Sequence, residues 1–258
     1  MVRTRRRWVC DGIGAMLSVS LPGCRQHAKN RLTVLTAAVM RQALQPIVRR
    51  FRQATGFEVD LRLGGSNYLL STLRLTQSGD VFVSADRTYL DMAAAENLTE
   101  PPCVIASVRP VIVVHQAANE SLQTMATWWS IPHRIAIADP DAAAVGRATR
   151  LMFERHHVWA DLVERISNDG VTLPTVGVVA SAVKLGSVHS GIVWDVTAEQ
   201  FGFSRIIDHP LMQGGRSQVA IAACRGAANP DAAKAFVDFV CDDVKSRQTL
   251  EQNGFALD

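Results

Sequence analysis

The sequence predicts an α/β fold of two lobes, each built on a mostly parallel sheet flanked by helices. Short β-prone runs alternate with helical patterns, beginning with the strand LTVLTAA and a helix that repeats Leu44, Ile47, Val48 and Phe51 on one face. Strands that alternate with helices form parallel sheets. The alternation restarts in the second half, and 258 residues with 48% hydrophobic content can bury two cores.

The first lobe is predicted to comprise residues 31–112 and 198–258. Its further segments are the strand FEVDLRL, the helix YLLSTLRL and the strand GDVFVS, after which Asp86 is placed to cap a helix. SQVAIAAC is expected to return to this lobe as a strand. Asn229 then caps a helix, and a last helix stops at Gly254.

The second lobe is predicted to comprise residues 113–197, entered through one long strand, VRPVIVVH. TWWSIPHRIAIADP contains a short helix and then a strand, and a helix is expected from about Arg147 to His156. VWADLVERI and VVASAVKLGS follow as helices, separated by VTLPTVG, which is a strand or a loop. SGIVWD is the last predicted strand of this lobe.

The first 24 residues predict an export segment. A basic start, MVRTRRRW, precedes the apolar run GIGAMLSVSLP, which is too short to span a membrane. The run ends in LPGC, which resembles a bacterial lipobox, so Cys24 is expected to carry lipid and to anchor an exported, periplasmic protein to the membrane. An uncleaved basic N-terminus is the alternative.

Composition excludes several classes of function. The formal net charge of +3 comes from the arginines among the first seven residues, and a neutral body without a basic run argues against nucleic acid as a partner. The histidines and cysteines lack metal-site spacing, so no metal site is expected. Without a recognisable nucleophile or acid–base motif, the chain is expected to be neither an enzyme nor a cofactor carrier.

Three cysteines remain if the export segment is removed and Cys24 carries lipid: Cys103, Cys224 and Cys241. An odd number permits at most one disulfide within a monomer, and the spacing does not say which pair would form it.

Four predicted strand-to-helix turns consist of small or hydroxyl residues: Thr36–Val39, Gly64–Asn67, Ala143–Gly146 and Thr175–Gly177. The first turn of a helix leaves backbone N–H groups free and carries a partial positive charge. Several such turns that converge can bind an anion without lysine or arginine. Turns of this composition also occur for backbone geometry alone, so both interpretations stay open at this point.

Six segments carry a resemblance to a known family: LTVLTAAVMRQALQPI, GDVFVSADRTYLDMAAAENL, IAIADPDAAAVGRATRLMF, SGIVWD, NPDAAKAFVDFV and the terminal NGFALD. They resemble the periplasmic molybdate/tungstate-binding proteins of ABC importers. The resemblance spans about residues 32–258. It implies the two-lobe, type II periplasmic binding protein fold, in which the lobes are joined by crossing strands and close on the ligand.

In that family, a tetrahedral oxyanion is held by backbone N–H groups and by serine and tyrosine hydroxyls. Carried over to this chain, the resemblance implies the following ligand-binding residues: Ala38, Val39, Gly65, Ser66, Val145, Val176 and Trp194.

Two of these positions depart from the family pattern. Val39 replaces a serine and removes a hydroxyl, for which Thr36 is a candidate substitute, while Trp194 occupies the tyrosine position and can only donate. Whether Gly65 or Ser66 corresponds to the family's second serine stays open.

The predicted function is capture of molybdate or tungstate and delivery to an ABC permease, by a monomer that performs no chemistry. The first alternative keeps the fold and binds another oxyanion or a small carboxylate. The second is an orphan ligand sensor. A DNA-binding regulator is not expected, because it would need a helix-turn-helix and the N-terminal segment has no room for one.

Overall fold

The computed structural model describes residues 30–257, which form two five-stranded sheets flanked by helices. The lipidation and export predictions for residues 1–24 therefore lie outside the described residues. In chain order, the strands are β1 (Arg31–Ala37), β2 (Glu58–Gly64), β3 (Val81–Ser84), β4 (Cys103–Val108), β5 (Pro110–Val114), β6 (Ile135–Ala138), β7 (Gly170–Leu173), β8 (Ser190–Trp194), β9 (Ile206–Ile207) and β10 (Ser217–Ala223).

Helices cover the two sheets. In chain order, they are α1 (Arg41–Thr55), α2 (Ser66–Thr76), α3 (Arg87–Ala95), α4 (Met125–Ser130), α5 (Ala144–Arg155), α6 (Trp159–Asp169), α7 (Val176–Lys184), α8 (Asp195–Gln200), α9 (Pro210–Gln213), α10 (Pro230–Cys241) and α11 (Val244–Gln252). None of the helices within residues 30–257 is long and apolar enough to cross a membrane.

The two sheets have matching topologies. The strand order is β2-β1-β3-β10-β4 in the first sheet and β7-β6-β8-β5-β9 in the second. In each sheet four strands run in one direction, and the fourth strand of the order, β10 or β5, opposes them. The predicted fold class, two lobes on mostly parallel sheets, is confirmed. We call each sheet with its helices a lobe.

The segment VRPVIVVH is not the single strand that the sequence predicts. The chain leaves the first sheet at the end of β4 and enters the second at Pro110, so Arg109 lies at the crossover. Proline has no N–H to continue a ladder, which explains the break. The Arg109 N–H instead donates to Oδ1 of Asp195 at 3.2 Å. The lobe limits after residues 112 and 197 stay predictions; β5 as a whole belongs to the second sheet.

Most predicted helix limits agree with the structure because their sequence signals act locally. Gly56 ends α1 with φ of +77°. Asp86 accepts the Thr88 N–H at 2.9 Å and Asn229 accepts the Ala232 N–H at 3.1 Å, so both predicted N-caps are confirmed. Strands β4 and β9 and helices α8 and α9 were missed; β9 has two residues and α9 has four, too few for a periodic pattern.

A second, smaller core fills the far side of the second lobe, around Trp128, which is fully buried. Its indole N–H donates to Oγ of Ser190 at 2.8 Å, and Nε2 of His133 lies 2.9 Å from the same oxygen. This tryptophan therefore serves the packing of the second core. The hydrogen bonds satisfy polar groups that would otherwise be costly to bury.

Candidate functional site

Six strand ends, three from each sheet, meet between the lobes. The first lobe contributes the carboxyl ends of β1, β2 and β3, and the second those of β6, β7 and β8. Ligands of open α/β sheets bind at this edge. The residues after these ends enclose a common cavity, here called the seat, lined by Ala37, Ala38, Val39, Gly64, Gly65, Ser66, Ala85, Ala143, Ala144, Val145, Thr175, Val176 and Trp194.

All seven residues predicted to bind ligand lie around the seat, although their role in binding stays a prediction. They come from four separate turns and from the end of β8, far apart in the sequence. The seat has a volume of about 20 Å³, which is of the order of one water molecule by the usual measure of such cavities. Within the described residues, its lining includes no ionised side chain. Any guest must therefore be compact and be held by neutral groups.

Two of the helices that begin at the seat, α2 and α5, lack the usual side-chain caps. Helix α2 follows Gly65 and α5 follows Ala143, and neither N-cap residue accepts a hydrogen bond through its side chain. The short 3-10 turn Ala38–Met40 also begins without one. The first N–H groups of these turns are thus available to a guest, and the helix dipoles of α2 and α5 favour a negative one.

Helix α7 differs from α2 and α5 because Thr175 caps it. The Thr175 hydroxyl accepts the Val178 N–H at a long 3.4 Å, which leaves the N–H groups of Val176 and Gly177 as the donors of its first turn. The seat therefore receives helix starts from both lobes, α2 from the first and α5 and α7 from the second.

Three lining side chains can add donors: Ser66, Thr175, whose hydroxyl accepts the Val178 N–H and keeps its own hydrogen, and Trp194. The Ser66 hydroxyl accepts the Ala85 N–H at 3.2 Å and keeps its own hydrogen for donation. Trp194 is 1% exposed and carries one indole N–H. Thr36, the candidate substitute for the hydroxyl absent at Val39, is not among the lining residues. Its hydroxyl lies 3.5 Å from the Ala37 carbonyl oxygen, so the structure does not support that substitution.

The lobes touch beside the seat. A Cβ atom on Gly65 would overlap the carbonyl oxygen of Ala142 and lie 3.4 Å from the Cα atom of Ala143, so this close approach requires glycine. Nδ2 of Asn67 donates to the Asp141 carbonyl oxygen at 2.5 Å. These contacts hold the starts of α2 and α5 next to each other, as a shared anion would require.

An ion pair also joins the lobes. Nη1 of Arg147 on α5 lies 2.6 Å from Oδ2 of Asp86, the N-cap of α3. The Asp86 carboxylate thus has two partners, because its Oδ1 caps the helix. Burial, followed by the nearby Asp86 carboxylate, raises the pKa of Tyr89 to about 12, which keeps that phenol neutral beside the pair. The sequence predicts the cap and misses the ion pair, since no local signal links two residues from different lobes.

A larger opening, here called the arginine cleft, is lined by both residues of this ion pair. It has a volume of about 490 Å³ and spans α3, α5 and the chain before β10. Four arginines line it, together with two aspartates: Arg87, Arg147, Arg155, Arg216, Asp86 and Asp91. Asp86 follows directly on Ala85 of the seat, so a neutral cavity and a charged cleft lie side by side between the lobes.

Residues 30–257 contain no candidate metal site that would offer another interpretation of the seat. No group of three or more histidine, cysteine, aspartate or glutamate side chains there could hold a metal ion. What the arrangement offers chemically is an array of hydrogen-bond donors around a compact space.

Comparison with known proteins agrees with this geometry. The profile of a bacterial extracellular solute-binding protein family matches residues 32–256. The molybdate-binding protein ModA of Escherichia coli K12 is 23% identical over 263 aligned positions, which cover 98% of this chain and 99% of that protein.

Two solved structures show the shared fold. The periplasmic molybdate-binding protein of Azotobacter vinelandii superposes with a TM-score of 0.76 at 18% identity, covering 88% of this chain and 99% of that one. The sulfate-binding protein SubI of Mycobacterium tuberculosis H37Rv superposes with a TM-score of 0.74 at 13% identity, covering 88% and 86%. The resemblance to the molybdate-binding proteins is confirmed, and the profile match over nearly all described residues shows that the chain belongs to the bacterial extracellular solute-binding proteins.

Proposed function

We propose that this solute-binding protein captures molybdate or tungstate in the seat and delivers it to an ABC permease. The observation that carries the proposal is the convergence of uncapped helix starts from both lobes on one small cavity whose lining holds no ionised side chain. Such a cavity suits a small anion because fixed N–H dipoles can neutralise it without a counter-ion.

The donor set favours a fully deprotonated anion. The lining side chains offer the Ser66 and Thr175 hydroxyls and the Trp194 indole N–H, and neither a carboxylate nor an imidazole is among them. A singly protonated anion would need an acceptor for its own hydrogen, and burying that hydrogen without a partner costs about 1–3 kcal/mol. Molybdate, tungstate and sulfate meet the requirement at neutral pH, whereas hydrogen phosphate does not.

A second oxyanion, sulfate, is the other candidate. Val39 and Trp194 replace hydroxyl-bearing residues of the molybdate-binding pattern, and the change in donors can shift selectivity between oxyanions of different size. One hydrogen bond to a charged group contributes about 1.5–3 kcal/mol, or about 10–150-fold in affinity.

Titration calorimetry of the purified protein tests the proposal. Molybdate is expected to bind at or below micromolar Kd, and sulfate to compete poorly. A thermal-shift panel of tetrahedral oxyanions and small carboxylates provides the comparison, because only a ligand that binds the native state raises the midpoint. Absence of heat with every tetrahedral oxyanion would contradict the proposal, and tighter binding of sulfate would favour the second candidate.

We further infer that the chain works outside the cytoplasm on a lipidated Cys24, as a monomer that hands its ligand to the permease. The match to an extracellular solute-binding family supports export. Cys24 follows LPG in the sequence, as the lipobox pattern requires. Mass analysis of the N-terminal peptide from membranes tests this directly: an acylated cysteine at its first position is expected, and an unmodified Met1 would overturn the inference.

A further inference from the structure

Three cysteines line a groove on the first lobe that shares no residue with the seat. The groove has a volume of about 690 Å³ and runs along α10 and the ends of β4 and β10. Cys103, Cys224 and Cys241 all face it, and all three are thiols in this structure. The ligand-binding proposal leaves this cluster without a role.

Cys103 and Cys241 are neighbours in space. Cys103 begins β4, the edge strand of the first sheet, and Cys241 ends α10, which packs against that strand. Burial raises the pKa of the Cys241 thiol, and the next cause is the Cys103 thiol beside it. Both residues are half-buried, so a small reagent in the groove can reach them.

Cys224 is protected by comparison. It is 3% exposed, at the end of β10, where its N–H donates to the Asp80 carbonyl oxygen at 2.9 Å. Burial, with the Asp80 carboxylate as a second cause, raises the pKa of its thiol to about 12. Cys224 is also the only one of the three that is fully buried, since Cys103 and Cys241 are half-buried, so an oxidant in the groove reaches it least easily.

We propose that Cys103 and Cys241 form a disulfide once the chain is exported, and that Cys224 remains a thiol. Two protein S–H bonds and the S–S bond of the oxidant break, one protein S–S bond forms, and the two protons end on the thiols released from the oxidant. The two electrons reduce the disulfide of the oxidant, such as oxidised glutathione or a protein disulfide donor, to two thiols. The inference depends on an oxidising compartment. It does not depend on the identity of the ligand.

The bond would tie the edge strand of the first sheet, β4, to the C-terminal helices. Strand β4 pairs with β10 on one side and forms an isolated bridge from Ser107 to Ala256 on the other, and α10 lines the groove beside it. Joining two residues so distant in the sequence removes conformations from the unfolded chain, so oxidation should stabilise the fold. The seat and its helix starts lie outside this region, and ligand affinity should be unaffected.

Peptide mapping tests the pairing. The full chain is treated with oxidised glutathione, alkylated under denaturing conditions and digested with trypsin, which separates the three cysteines because Arg134 and Arg225 lie between them. We expect a cross-linked pair of peptides containing Cys103 and Cys241, two hydrogen masses below their sum, and an alkylated Cys224. Alkylation of both Cys103 and Cys241, a glutathione adduct on either, or a bond to Cys224 would overturn the proposal.

Cysteine-to-serine variants distinguish the effect of the proposed disulfide from general effects of substitution on folding. Cys224→Ser should keep the cross-link, whereas Cys103→Ser should leave Cys241 open to alkylation. In urea unfolding, a reducing agent should lower the midpoint of the wild type and of Cys224→Ser and leave that of Cys103→Ser unchanged; an equal shift in all three would contradict a stabilising bond. Because no anion enters this assay, its outcome is independent of the molybdate titration.

Discussion

The seat and the arginine cleft lie side by side between the lobes and are opposite in character. The seat has a volume of about 20 Å³ and is lined by small and apolar residues. The cleft has a volume of about 490 Å³, and its lining includes four arginines. An anion-binding protein would be expected to use the arginines. Yet the arginines already have protein partners: Arg147 pairs with Asp86, Arg87 with Asp91, and Arg155 donates to the Gly214 carbonyl oxygen.

The difference between the seat and the cleft indicates which of the two can select one anion over another. Guanidinium groups attract any anion and adapt to its size, whereas backbone N–H groups at helix starts have fixed positions and favour one shape. A neutral, rigid seat can therefore separate anions by size and protonation state. The charged cleft is better suited to holding the lobes together, and the following variants test that division.

Loss of the Ser66 hydroxyl should have the largest effect. Ser66→Ala removes a donor from the seat and the acceptor of the Ala85 N–H. A hydrogen bond to an ion contributes about 1.5–3 kcal/mol, so we expect molybdate binding about 10–150-fold weaker by calorimetry. Ser71→Ala, on the same helix and outside the seat lining, is the control and should bind as the wild type does. Equal affinity of Ser66→Ala and the wild type would remove this side chain from the site.

Closure of the lobes over the seat depends on Gly65. In Gly65→Ala, the new Cβ would overlap the Ala142 carbonyl oxygen of the other lobe, and overpacking of this kind costs about 1–3 kcal/mol. Binding should weaken about 5–150-fold, while the melting temperature without ligand changes little because the lobes can open to relieve the contact.

Gly177→Ala is the matched control for Gly65→Ala. Gly177 also lies at a helix start beside the seat, but a Cβ there meets nothing within 4 Å. Its N–H is retained, so affinity should match the wild type. If both alanine variants lost affinity equally, flexibility of the glycines, rather than the approach of the lobes, would explain the result.

Variants of two cleft arginines distinguish two possible roles of the cleft. One role is to hold the lobes closed through an ion pair, and the other is to attract anions in general. Arg147→Gln removes an ion pair between lobes, whereas Arg87→Gln removes one within α3, to Asp91 four residues on. A partly exposed pair contributes up to about 1 kcal/mol, so Arg147→Gln should weaken binding about fivefold, chiefly through faster dissociation. Arg87→Gln should have no effect. Similar loss of association rate in both variants, abolished by salt, would instead assign the cleft a role in steering anions.

The sequence predicts the seat better than it predicts the contacts that close it. Turn composition and helix starts are local, so the four turns, the caps at Asp86 and Asn229 and the fold class all follow from short segments. The contacts of Gly65 with Ala142 and of Arg147 with Asp86 join distant segments, and a single sequence carries no record of such pairs. The crossover at Arg109 was missed for the same reason: VRPVIVVH is apolar throughout, and the sheet to which each half belongs depends on its partners.

The prediction with the smallest expected effect concerns pH. We expect ligand affinity and folding stability to depend on pH in different ways. No titratable side chain is among the described residues that line the seat, so affinity for a fully deprotonated anion should stay constant between about pH 8 and pH 6. The second lobe should respond differently through His133. Burial lowers the pKa of this imidazole, and the nearby Arg165 and His189 lower it further, against the opposing hydrogen bond to the Ile131 carbonyl oxygen.

The sign of the His133 effect follows from that lowered pKa. The unfolded chain takes up a proton near pH 6.5, before the folded state does, so stability is retained above that pH and lost as the pH falls towards the folded-state pKa. Urea midpoints at about pH 7.5 and about pH 5.5 should show this loss in the wild type and less of it in His133→Gln, whose amide can still accept from the Ser190 hydroxyl. Equal losses in both proteins would assign the acid sensitivity to another group. A molybdate affinity that falls in parallel with the urea midpoint would mean that the seat does not act independently of the second core.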